Sequence, residues 1–199
     1  MKLHYKIIHT LILLIMKTFW NLKVIGLEKL KFTEGGIICA NHQNAFDPFF
    51  LGSVLPIESY FLAKSDLFKN KIFGLILKSV NAISIRRYRF SGSSIKKCEE
   101  LLRNKNTLVI FPEGSRKSFT AKPGVARIAL ATKAKIFPVK ILNINKFKEC
   151  FFRKKHLTFI FKPPFSLEKY KSIQDEKPNY RKFAQKILDI INSIEDDEG

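Results

Sequence analysis

Five residues, Gly36-Ile37-Ile38-Cys39-Ala40, run without a polar side chain and then break into Asn41-His42. A strand with one wet face alternates apolar and polar residues. An unbroken apolar run of this length belongs to a strand covered on both faces, as in a parallel sheet with helices above and below. Thr107-Leu108-Val109-Ile110-Phe111 repeats the pattern and is halted by Pro112. Residues 60–63, 82–85, 135–142 and 157–161 read as further strands, the last expected to run antiparallel. Helix-like stretches fall between them. One covers 47–55, with Asp47 and Pro48 at its start, and one runs from Asp66 through Leu77. Others cover 93–103, 124–133 and 183–194, each with apolar residues at helical spacing. Strands alternating with helices predict an α/β fold: a mostly parallel central sheet flanked by helices.

With 199 residues, the chain buries about 70% of its unfolded surface as one domain. Residues 1–22 stand apart from residues 23–199. The run Leu11-Ile12-Leu13-Leu14-Ile15-Met16 lies between His9 and Lys17. Its continuous apolar stretch is well short of the ~20 residues a spanning helix needs. No small-residue cleavage site follows it. An interfacial helix lying in one leaflet, with Trp20 at headgroup level, fits the segment better.

Thirty-six Lys and Arg against seventeen Asp and Glu give a formal charge of +19, which suits a polyanionic partner. A lysine-rich source would produce the same excess. Nineteen Phe, several beside Lys as in Phe151-Phe152-Arg153-Lys154-Lys155, favour a phospholipid surface over nucleic acid. No zinc spacing, RNA-binding aromatic signature or basic zipper is present. Cys39, Cys98 and Cys150 are scattered, so a disulfide framework is not expected.

Three polar motifs follow strand ends, where ligands gather in such sheets. His42 and Asp47 lie five residues apart just past the first buried run. A histidine with a carboxylate on its other nitrogen makes a general base in a fixed tautomer. Asp47 is equally well placed as helix N-cap, and a carboxylate has oxygens for both roles. Arg86, Arg87 and Arg89 follow a second strand; a guanidinium there can clamp phosphate, although Arg86 and Arg89 read better as a solvated loop. Glu113-Gly114-Ser115-Arg116 follows a third, offering close backbone approach, a backbone N–H for a developing oxyanion, and a positive charge. Ser115 lacks the flanking glycines of a nucleophile elbow. A base beside an anion site suggests transfer to a phosphorylated acceptor.

N-H-x-x-x-x-D at 41–47 and F-P-E-G-S-R at 111–116 resemble the signature blocks of the glycerolipid acyltransferase family. The resemblance extends over Val24-Ile25-Gly26-Leu27-Glu28, Leu62-Ala63-Lys64, Ile83-Ser84-Ile85-Arg86-Arg87, Lys122-Pro123-Gly124 and Phe137-Pro138-Val139. It implies a glycerol-3-phosphate acyltransferase-like sheet over 23–199. It also implies transfer of an acyl chain from a thioester to the sn-2 hydroxyl of lysophosphatidic acid, giving phosphatidic acid. His42 is then the base and Asp47 its partner, while Asn41, Lys64, Arg87, Glu113, Gly114, Ser115 and Arg116 face the substrate. No metal or cofactor is expected, and acyl-CoA or an acyl carrier protein is the co-substrate. A peripheral or monotopic position at the cytoplasmic face of the cell membrane follows from the substrates. The sequence departs from the family pattern at Asn44, where Ser is common, at Ser115, where Thr is usual, and at Arg86, where an acid often stands. The last departure leaves another lysolipid or glycerol 3-phosphate open as acceptor; a non-catalytic basic binding protein is the rival of a different class.

Overall fold

The computed structural model describes residues 2–32, 34–85, 92–170 and 179–195. Among these residues seven strands form one sheet: β1 (Leu22–Ile25), β2 (Gly36–Ala40), β3 (Ser59–Lys64), β4 (Ala82–Ile85), β5 (Thr107–Ile110), β6 (Ile136–Leu142) and β7 (Leu157–Phe161). Their spatial order is β1-β7-β6-β2-β5-β3-β4. All neighbours pair in parallel except β6 and β7, which are antiparallel as expected of 157–161. β2, wholly apolar, lies at the centre and is buried at every position.

Helices α1 (Leu3–Phe19), α2 (Asp47–Val54), α3 (Lys71–Ser79), α4 (Gly92–Arg103), α5 (Gly124–Thr132), α6 (Phe147–Phe151) and α7 (Tyr180–Asn192) cover the sheet. Side chains on the two faces of β2 fall into two cores. Ile38 and Ala40 pack with Phe50, Leu51 and Val54 of α2 and with Met16 of α1. Ile37 and Cys39 pack with α4, α5 and α7. The steps from β2 to β3 and from β3 to β4 run the same way across the sheet, so crossovers of the usual right hand put α3 on the α2 side.

Helix α1 packs onto this domain. α1 lays Tyr5, His9 and Met16 against α2, all buried; burial of Met16 alone is worth about 1.5–3 kcal/mol. Its opposite stripe, Leu3, Ile7, Leu11, Leu14, Ile15 and Phe19, stands exposed. Among the described residues no helix is long and apolar enough to cross a membrane.

Two local expectations need correction, and two elements were missed. The helix read from Asp66 is split: a 3₁₀ turn covers Ser65–Phe68, and α3 begins only after Asn70, whose carbonyl accepts from the Gly74 N–H. Asp66 caps nothing, because its carboxylate is held by the ammonium groups of Lys64 and Lys69. β1 and α6 were not foreseen. β1 has only four residues, each half-buried at the sheet edge, so it carries little pattern. It ends at Gly26, where φ is +78° and a Cβ would collide with the Phe161 carbonyl.

Candidate active site

Neighbouring strands β2 and β5 send the chain to opposite faces of the sheet, β2 into α2 and β5 through residues 111–123 into α5. A crevice therefore opens between their carboxyl ends, at a topological switch point. His42 enters from the β2 exit and Glu113 from the β5 exit. The His42 backbone N–H donates to Glu113 Oε1 at 3.3 Å, so two of the three motifs do meet at one edge.

Asp47 is the organising group. It is the first residue of α2, with Pro48 behind it, and it caps backwards rather than forwards. Its Oδ2 accepts from the N–H groups of Gln43 at 2.7 Å and Asn44 at 2.8 Å, closing the 42–47 turn. The same oxygen lies 2.7 Å from His42 Nδ1. An aspartate carboxylate only accepts, so the imidazole proton sits on Nδ1 and Nε2 keeps its lone pair. Asp47 is fully buried while the His42 side chain is 17% exposed, so the base alone reaches outward. The question the sequence left open, N-cap or histidine partner, is answered: no cap hydrogen bond forms, and the carboxylate serves the turn and the imidazole.

Phe111, the last residue before Pro112, stacks on the His42 ring with centroids 4.4 Å apart and planes 27° from parallel. Glu113 is buried, and burial pushes its carboxyl above the ordinary range, opposed by hydrogen bonds from its own backbone and that of His42. The imidazole is thus held by a carboxylate on one nitrogen, by a phenyl ring on one face, and by a second carboxylate at its backbone.

The remaining candidates separate into supports and rim. Asn41 is buried, and both ends of its amide serve the Ile141 peptide of β6: Nδ2 donates to the carbonyl at 2.9 Å and Oδ1 accepts from the N–H at 2.7 Å. It extends the β2–β6 ladder by one rung and fixes where the 42–47 turn departs. Gly114 has φ +64° and donates its N–H to the Phe111 carbonyl at 2.9 Å. That amide is engaged in the turn, which corrects the expectation that it faces an oxyanion. Ser115 is half-buried and Arg116 exposed on the same turn. Lys64 ends β3, one strand beyond β5, with its ammonium on Asp66. Arg87, with Arg86 and Arg89, lies outside the described residues.

Three side chains were missed. Phe111 was legible as the aromatic that opens the F-P-E-G block. Lys122 returns beside the turn: its N–H donates to the Pro112 carbonyl at 2.8 Å, and a Cβ on Gly114 would sit 3.2 Å from its Cγ. Lys140 is a lysine within the otherwise apolar β6. Burial lowers its affinity for a proton, the negative charge of Glu113 opposes that, and Nζ donates to Asn192 Oδ1 at 3.2 Å at the end of α7.

The Acyltransferase family model matches residues 21–142. A 1-acyl-sn-glycerol-3-phosphate acyltransferase of Bacillus subtilis is 32% identical over 162 residues, covering 80% of this chain and 81% of the relative. One from Streptococcus pneumoniae is 32% identical over 145 residues, and there the match spans 72% of this chain and only 54% of the relative. The crystal structure of the 1-acyl-sn-glycerophosphate acyltransferase PlsC from Thermotoga maritima superposes with a TM-score of 0.68. At 19% identity it covers 96% of this chain and 81% of that one, and it shares the fold.

Proposed function

The chain belongs to the acyltransferase family, and from that premise we propose that it acylates the sn-2 hydroxyl of lysophosphatidic acid to give phosphatidic acid. The observation that carries the mechanism is the 2.7 Å contact between His42 Nδ1 and Asp47 Oδ2, which leaves Nε2 as an oriented base in the crevice. Nε2 takes the acceptor hydroxyl proton as the oxygen attacks the thioester carbonyl. The C–O bond forms, the C–S bond breaks, and the proton passes from the imidazolium to the departing thiolate. A thiol with a pKa near ~8.5 leaves with little acid assistance, so one base suffices and no acyl-enzyme is required. A positioned base contributes roughly 10²–10⁴ in rate. Asp47 holds the tautomer and offsets the imidazolium charge. Arg116 and Lys122 supply positive charge beside the turn for the acceptor phosphate, and the resemblance to the family implies Arg87 as a further guanidinium. The donor is a thioester of CoA or of an acyl carrier protein.

The acceptor is held in a leaflet by its acyl chain, at ~0.8 kcal/mol per buried methylene, so the enzyme works at a membrane surface. The exposed stripe of α1 supports this placement, joined on the same side of the sheet by Ile72, Leu75 and Ile76 of α3. The protein sits peripherally on the cytoplasmic face, where thioester donors are available. Mass spectrometry of products, using purified protein, lysophosphatidate and mixed acyl thioesters, tests the assignment. Phosphatidic acid acylated at sn-2 is expected. Product only from a lyso-aminolipid or from glycerol 3-phosphate, or none from any acceptor, would overturn it.

A further inference from the structure

β6 and β7 are antiparallel neighbours that a hairpin of roughly two to five residues can join. Residues 143–156 join them instead, and this extra chain builds α6 and a basic turn. Phe147, Phe151 and Phe152 are 43%, 44% and 67% exposed. Lys146, Lys148, Arg153, Lys154 and Lys155 are exposed around them, with Glu149 the one acid in the segment.

The segment is fastened in place. The Arg153 guanidinium donates to the Thr18 carbonyl at 3.1 Å and to Asn21 Oδ1 at 2.9 Å, gripping the end of α1. Asn21 returns a bond to the Lys155 carbonyl at 3.0 Å, and Asn143 donates to the His156 carbonyl at 2.9 Å. From this base a file of rings leads to the catalytic turn. Phe152 meets Phe151 at 5.3 Å, Phe151 meets Phe147 at 5.8 Å, and Phe147 meets Trp20 at 4.6 Å. Trp20 meets Phe50 at 5.3 Å and Phe50 meets Phe46 at 5.8 Å. Phe46 is 57% exposed and immediately precedes Asp47. Asn44, whose N–H is bound by Asp47, donates its side-chain amide to Asn145 Oδ1 at 2.7 Å.

We propose that residues 145–155, together with Phe46, form a docking ledge for an anionic bilayer that adjoins the exposed stripe on α1 and seats the catalytic turn at headgroup depth. The proposal deepens the membrane reading above and rests on it. Lysine ammonium groups pair with lipid phosphate while phenyl rings enter the acyl boundary. Lysines alone would suit an acidic protein equally. The exposed rings among them favour lipid, because Phe151 stacks on Phe19 at 6.2 Å and so continues the apolar stripe of α1.

Trp20 is the one tryptophan of the chain and joins the end of α1 to the file of rings, so its fluorescence reports on docking of this side, and the variants below separate the ledge from the α1 stripe. The full-length protein is mixed with phosphatidylcholine vesicles, with and without phosphatidylglycerol, carrying bromine at shallow acyl positions. Quenching of Trp20 is expected on the anionic vesicles. In flotation, the double variant K154E/K155E should lose about tenfold or more in partition, and F152S about threefold to tenfold. Both variants should melt as the parent does and keep their turnover in detergent micelles. Absence of quenching, or flotation of both variants at the parental level, would overturn the proposal. So would normal flotation with loss of activity only on a carrier-protein thioester, which would make the ledge a protein-docking face. If no acceptor is acylated at all, the functional reading fails while the vesicle result still decides the ledge.

Discussion

At the carboxyl edge of β2 and β5 the polar groups are gripped by the chain itself, whereas on the side carrying α1, α3 and α6 the prominent groups are apolar and exposed. His42 has a carboxylate on Nδ1, a phenyl ring on its face and Glu113 at its backbone N–H. Leu11 and Leu14 of α1 are 57% and 56% exposed. The first region is held in place by its own hydrogen bonds and ring stack. The second is an exposed apolar surface of the kind that marks an interaction site or an aggregation liability, and on the function proposed above its partner is the bilayer. Chemistry and location are therefore carried by different residues, and substitutions should divide into two classes that do not mix.

The largest effect tests the chemical side. His42→Ala should lower kcat by about 10²–10⁴ while vesicle flotation and melting stay unchanged. A variant within a few-fold of the parent rate would remove His42 as the base, and altered flotation would show that the two regions are not separable. Next comes the membrane side. Leu11→Ser combined with Leu14→Ser removes two apolar groups from the outer stripe without touching the buried one. Partition into vesicles should fall about 10- to 100-fold, with turnover on short-chain, water-soluble substrates preserved. Equal loss of both activities would mean that α1 supports the active site through α2 rather than the membrane contact.

The core strands were legible because β2 and β5 are apolar throughout, and such runs have few alternatives in a chain of this size. The convergence of His42 and Glu113 was legible too, because neighbouring parallel strands bring their carboxyl ends together whatever the loops do. What escaped was anything decided by the direction of a single side chain. Asp47 could cap forwards or backwards, and only the turn formed by Gln43 and Asn44 selects the second. Gly114 was expected to offer its N–H outward, but the tight turn returns it to the Phe111 carbonyl. α6 escaped for another reason: five residues are too few for a helical period to show.

A smaller effect concerns Glu113, whose carboxyl is raised chiefly by burial. A raised carboxyl binds its proton more tightly in the folded state than in the unfolded one. Its contribution to stability is therefore greatest below the ordinary glutamate value of ~4.3 and declines as pH rises through the folded value. Glu113→Gln should abolish that decline, so the stability difference between variant and parent shifts in favour of the variant from pH ~4.3 upwards. Glutamine can still accept from the His42 N–H but with weaker charge, so kcat should drop roughly tenfold with KM little changed. A pure rise in KM would make Glu113 a substrate ligand and move it out of the support of His42. Thermal melting across pH and steady-state kinetics separate these outcomes.

The smallest effect sharpens the comparison most, because Phe111 is an aromatic ring in contact with His42, away from the exposed apolar stripe of α1. Its stack on His42 fixes the plane of the imidazole and so the direction of the Nε2 lone pair. An aromatic pair is worth about 0.5–1.5 kcal/mol beyond its buried area, so Phe111→Leu should reduce kcat about threefold to tenfold. Leucine still fills much of the space, so KM and vesicle partition should hold. Phe111→Trp, which restores a flat face, should recover most of the rate, whereas a ring needed only for packing would tolerate Leu better than Trp. If Phe111→Leu instead weakens flotation without changing kcat, the ring belongs with the exposed Phe46, and the boundary between the two regions runs through the catalytic crevice itself.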